Sequence, residues 1–117
     1  MECVAIRIEN HEKELFDSLL KKYGVIHAEF FKNFGPVTSY IRQNIVDVVF
    51  LSIDEHKGAW VNEFEQIKRA DNGTRIILVG SNRSDAVKAF ELDADDFLLE
   101  PVSESRLEKS INRIFAS

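Results

Sequence analysis

Asp47-Val48-Val49-Phe50-Leu51-Ser52-Ile53-Asp54 is the most informative run of this 117-residue chain. From Val48 to Leu51 every side chain is apolar, and polar residues stand at both ends. The run has strand length and is rich in β-branched and aromatic residues. A strand that is apolar on both of its faces is covered on both, as in a parallel sheet flanked by helices. The carboxyl end of such a strand opens onto the crevice where α/β sheets bind ligands and do chemistry. Ser52 and Asp54 stand at that end, and the functional reading turns on Ser52.

Four more segments read as strands: Cys3 to Ile8, Val25 to Phe31, Arg75 to Val79 and Asp96 to Leu99. Arg7 is out of place in a first strand expected to be buried on both faces. Between the strands lie helical patterns. Leu15, Phe16, Leu19, Leu20 and Tyr23 follow helical spacing from Glu12, and Gly24 is a stop signal. Gly35-Pro36 opens a short helix presenting Val37, Tyr40 and Ile41. Trp60, Phe64 and Ile67 share one face of a helix over 60–70, so Trp60 reads as a core residue ahead of the alternative, a binding aromatic. Asp71-Asn72-Gly73 is a turn signal at the end of that helix. Ser84 is placed to cap a helix running to Leu92, and Ser103 to cap a last helix that buries Leu107, Ile111 and Ile114. Strands alternating with helices throughout predict an α/β fold, a doubly wound parallel sheet with helices on both faces, as one domain over 1–117.

Composition narrows the function. Twenty acidic residues against 15 basic ones leave a net charge of −5, which argues against this domain gripping a nucleic-acid backbone, where clustered Lys and Arg are needed. No apolar run is long enough to span a bilayer, and MECVAIRIEN lacks the basic start and long apolar core of a signal peptide. A cytoplasmic location is therefore expected. The single cysteine, Cys3, rules out an intrachain disulfide and reads as a small packed side chain. Asp54-Glu55-His56 has metal-ligand chemistry but reads as a solvated loop. His27 reads as a packed or hydrogen-bonded strand residue and His11 as an exposed helix start.

Three stretches together resemble the receiver domain of two-component response regulators. They are DVVFLSI (47–53), IILVGS (76–81) and AFELDADDFLLEPVSESRLEKSINRI (89–114), the last closest in wording to receivers that precede LytTR-type DNA-binding domains. The resemblance implies a flavodoxin-like, CheY-like fold with a five-stranded sheet. It also places this chain's residues in the family's phosphoacceptor pocket. Ser52 stands where the family has its phosphorylated Asp. Gly80 stands at the switch hydroxyl, and Glu100 at the Lys before Pro101. Glu9-Asn10 fall where acidic residues would hold the metal. Phe97 takes the aromatic switch position, and the Glu100–Pro101 bond is expected to be cis.

Phosphoryl transfer to a receiver needs a carboxylate nucleophile, a divalent metal and groups that clamp the phosphoryl oxygens. A serine hydroxyl with no base beside it is a poor nucleophile, and Glu100 would repel a phosphate that Lys would hold. The expectation is a pseudo-receiver: a phosphorylation-independent signalling module of a two-component-type, transcription-regulating system, not an enzyme, with no cofactor and no metal. It would act on a protein partner or as a homodimer through its fourth helix, fifth strand and fifth helix. That surface offers Lys88, Glu91, Asp95, Arg106, Lys109 and Arg113, mixed charges that suit a self-complementary contact. Two alternatives stand beside it: an atypical receiver phosphorylated on Asp54 or Ser52, and a small-ligand-binding flavodoxin-like domain. Against the latter, no Gly-rich phosphate loop or nucleophile-elbow motif is present in the sequence.

Overall fold

A computed structural model describes residues 2–25, 27–53 and 58–115. Five strands, β1 (Glu2–Ile6), β2 (His27–Phe31), β3 (Val48–Ser52), β4 (Arg75–Gly80) and β5 (Asp96–Leu99), form one parallel sheet in the order β2-β1-β3-β4-β5. Five helices connect them: α1 (Asn10–Lys22), α2 (Val37–Gln43), α3 (Ala59–Ala70), α4 (Ser84–Glu91) and α5 (Glu104–Phe115).

The two-residue period of the strands divides the core. Cys3, Ala5, Val48, Phe50, Ile77, Val79 and Leu98 pack on one face with Phe16, Leu19 and Leu20 of α1 and Leu107 and Ile111 of α5. Val4, Ile6, Val49, Leu51, Ile76, Leu78 and Phe97 pack on the other with Val37 and Ile41 of α2, Trp60, Phe64 and Ile67 of α3, and Ala89 of α4. β3, the central strand, is buried at every position from Val48 to Ser52. At its middle, Phe50 meets Phe16 edge-on, with ring centroids 5.1 Å apart and planes at 85°. Trp60 is only 4% exposed, as its spacing implied. Cys3 is buried as well, and burial pushes its thiol pKa up, away from reactivity.

Element ends follow local chemistry. Gly24 adopts a left-handed φ of 83° after α1, where a side chain would be strained, and the Val25 N–H returns to the Leu20 carbonyl at 2.9 Å. Val25, expected in the second strand, is thereby a buried residue of the helix-to-strand connection. At α4 the capping atom differs from expectation. Asn82 Oδ1 accepts from the Ser84 N–H at 3.0 Å and from the Ser84 hydroxyl at 2.8 Å, so Asn82, not Ser84, satisfies the helix start. Ser103 does cap α5, its Oγ accepting from the Arg106 N–H at 3.2 Å.

Candidate functional site

In a sheet of this order the crevice opens at the carboxyl ends of the strands flanking the switch between β1 and β3. The β1–β3 ladder runs to Ile6 opposite Leu51, which leaves Arg7 and Ser52 as the next residues on the two chains. On the other side of β3, Ser52 pairs with Val79, one residue before Gly80. Gly80 pairs with Leu99, and its carbonyl accepts from the Glu100 N–H at 2.8 Å. Ser52, Gly80 and Glu100, far apart in sequence, thus meet at one end of the sheet.

The residue the sequence flagged as out of place proves central. β1 ends at Ile6, so Arg7 is not a strand residue. It adopts a left-handed backbone, φ 59°, which costs a side-chain-bearing residue roughly 1–2 kcal/mol. Its N–H stays tied to the Phe31 carbonyl of β2 at 2.8 Å. Its guanidinium donates from Nη2 to the Ser52 carbonyl at 2.7 Å and grips both Glu63 carboxylate oxygens, Nη1 to Oε2 at 3.0 Å and Nη2 to Oε1. The Arg7 and Glu63 side chains are only 6% and 12% exposed. This bidentate fork is the strong, geometrically specific form of an ion pair. It links the end of β1 to the end of β3 and to α3.

The metal position drawn from resemblance, Glu9-Asn10, follows directly on this turn. Glu9 and Asn10 are exposed: Glu9 is the N-cap of α1 and Asn10 its first residue. The turn at Arg7 brings a guanidinium to the Ser52 carbonyl at the end of β3. Glu63 was not foreseen, because the pattern of α3 marks only its apolar face. The signal available was Arg7 itself, since a buried cation calls for a carboxylate. Asp54, the alternative acceptor, and its neighbours Glu55 and His56 lie outside the described residues. Ser52 is 8% exposed and Phe97 7%, both facing inward. The Glu100–Pro101 peptide is cis.

The surface over α4, β5 and α5 is less free than its sequence suggests. Asp95 Oδ2 accepts from the Ile76 N–H at 2.7 Å, so that carboxylate serves the sheet. Asp96, 2% exposed, accepts two bonds from Arg106, 3.0 Å from Nη1 and 2.8 Å from Nη2, and Arg113 Nη1 lies 3.8 Å away. Burial would raise the Asp96 pKa, but the Arg106 bonds, with help from the Phe97 N–H at 2.8 Å, outweigh it and hold the carboxyl below its ordinary value. Lys88, Glu91, Lys109 and Arg113 are exposed, as expected. What sequence reasoning passed over is apolar: Val87 and Phe90, one helical turn apart on α4, are 64% and 55% exposed.

A doubly wound parallel sheet with polar groups gathered at its carboxyl ends defines a flavodoxin-like α/β domain. The chain matches the family model of the response regulator receiver domain over residues 8–112 and belongs to that family. It is similar to the sensory transduction protein LytR of Staphylococcus haemolyticus, 35% identical over 68 residues, which are 58% of this chain and 27% of that protein. The chain thus spans about a quarter of the length of that relative. Its fold is that of the response regulatory domain of mrkE from Klebsiella pneumoniae, with TM-score 0.80 and 23% identity over 99% of this chain and 96% of that one. A response regulator from Thermotoga maritima superposes with TM-score 0.85 at 17% identity, covering 99% and 98% of the two chains.

Proposed function

We propose that this receiver domain signals without being phosphorylated, as a cytoplasmic protein-interaction module of a two-component-type regulatory system. It performs no catalysis, and any control of transcription belongs to its partners or to other domains. The observation that carries the proposal is the Arg7 fork. A guanidinium bonded to the Ser52 carbonyl and to Glu63 stands at the crevice where phosphoryl transfer would need carboxylates and a metal. Ser52 at the acceptor position, Gly80 for the switch hydroxyl and Glu100 before Pro101 all support the same conclusion.

The test is incubation with acetyl phosphate and magnesium, read by intact mass and by sensitivity to hydroxylamine. No added phosphoryl group is expected. A hydroxylamine-labile adduct would mean a carboxylate acceptor such as Asp54, a stable one would mean Ser52, and either result would overturn the proposal.

Output is assigned to the α4–β5–α5 surface, and the partner to a second copy of the chain. Val87 and Phe90 form its apolar centre, with Lys88, Glu91 and Lys109 as a mixed-charge rim. A two-fold contact places the same patch on both sides, so mixed charge is self-complementary. Val87→Asp with Phe90→Asp is expected to weaken self-association about tenfold or more, because exposed aromatic and aliphatic anchors dominate such contacts. Both positions are exposed, so stability should change by only about 0.5 kcal/mol. Sedimentation equilibrium measures the first and denaturant unfolding the second; unchanged self-association would remove α4 from the interface.

A further inference from the structure

A receiver crevice would be expected to hold a divalent cation, and the described residues around Arg7 do not fit it. A hard dication needs several oxygen ligands and tolerates no fixed positive charge among them. Two oxygen donors described here are the Ser52 carbonyl at the end of β3 and the Glu63 carboxylate of α3, and the Arg7 guanidinium bonds to both. A guanidinium has five donors, no acceptor, and a charge that no protein environment removes. Nor is Arg7 there by the accident of a long surface side chain. Its side chain is 6% exposed, its backbone is held left-handed, and its own N–H is bonded to β2. A residue kept in a costly conformation while its side chain makes a bidentate buried contact is over-determined by its surroundings.

We infer that Arg7 is the chain's own replacement for the divalent cation: its guanidinium takes up oxygens a metal would need and ties β1 to α3 in one metal-independent arrangement. In a metal-binding receiver the charge at this point comes and goes with the ion. Here it is covalently part of the chain, so the end of β3 and the face of α3 bearing Glu63 are joined without a divalent ion. This rests on reading the crevice as receiver-derived, but its test is separate from phosphorylation.

The probe is manganese(II) alone, titrated into 15N-labelled full chain and followed by paramagnetic broadening of backbone amides. The wild type is expected to show no saturable broadening centred on Ile8, Ser52 and Glu63. Arg7→Asp exchanges the cation for a carboxylate facing Glu63 and the Ser52 carbonyl, and is expected to gain saturable broadening there. Arg7→Asp with Glu63→Gln should lose about tenfold or more of that affinity, since ligand charge sets affinity for hard cations. Asp and Asn both tolerate left-handed backbone, so the turn survives these changes. Should Arg7→Asp prove unfolded by amide dispersion, Arg7→Asn removes the charge while leaving Glu63 and the carbonyl available, and it too must bind manganese more tightly than wild type. Saturable binding at these amides in the wild type, or no gain in a folded variant, overturns the inference. Acetyl-phosphate labelling of the wild type would instead defeat the proposed function while leaving the metal question where manganese puts it.

Discussion

Phe50→Ala is expected to destabilise the domain by about 3–5 kcal/mol, a large share of the roughly 5–15 kcal/mol that holds a protein of this kind folded. Phe50 is fully buried at the middle of the central strand, with β1 on one side and β4 on the other. Its ring fills the layer between the sheet and α1, where Phe16 meets it edge-on at 5.1 Å. Removing it takes away transfer free energy and leaves a cavity whose walls, strands paired on both sides, cannot collapse. The edge-to-face contact adds about 0.5–1.5 kcal/mol to the loss. Urea unfolding followed by far-UV circular dichroism measures it; a loss below about 1.5 kcal/mol would show that the layer relaxes. Phe16→Ala should be non-additive with it, because the two rings share one contact.

The second large effect concerns Asp96 and Arg106. Arg106→Ala leaves a 2%-exposed carboxylate without its two principal hydrogen bonds. Breaking a fully buried pair by removing one partner costs about 3–5 kcal/mol, and the Arg106 side chain is 37% exposed, so solvent screening lowers the expectation to about 2–3 kcal/mol. The pH dependence has a definite sign. The folded-state pKa of Asp96 lies below its ordinary value, so the unfolded chain binds the proton more readily than the folded one. The pair's contribution is complete above the ordinary aspartate pKa, about 3.9, and is lost as pH falls through the lower folded value. Wild-type stability should therefore decline below about pH 5 more steeply than that of Asp96→Asn. Parallel acid-limb slopes in the two proteins would show that Asp96 is not held ionised by Arg106. Because Arg106 Nη2 also reaches the Phe97 carbonyl at 3.2 Å, its loss should loosen the seating of α5 on β5, visible as faster amide exchange at Phe97 and Leu98.

Much of this protein could be read from its chain alone, for a physical reason. Burial on both faces forces a strand to be apolar at every position, and Val48 to Leu51 carry that mark; helix periodicity likewise marks Trp60, Phe64 and Ile67. These are local patterns imposed by the periods of strand and helix, and they led to the sheet and its helices, while the receiver family came from the resemblance of three stretches. Ser52, Gly80 and Glu100 were legible too, because each stands at the end of a recognisable strand. Pairing between distant residues leaves no such trace. Arg7 looked anomalous in sequence, but which of 20 acidic side chains would meet it depends on where α3 crosses the end of β3. The turn after Ile6 decided that the Arg7 guanidinium reaches the Ser52 carbonyl. Packing likewise turned Asp95 and Arg106 toward the sheet and left Val87 and Phe90 facing water. The chain's periodicities determined its architecture; the charge inside its crevice and the apolar spot on its surface were decided only when the elements came together.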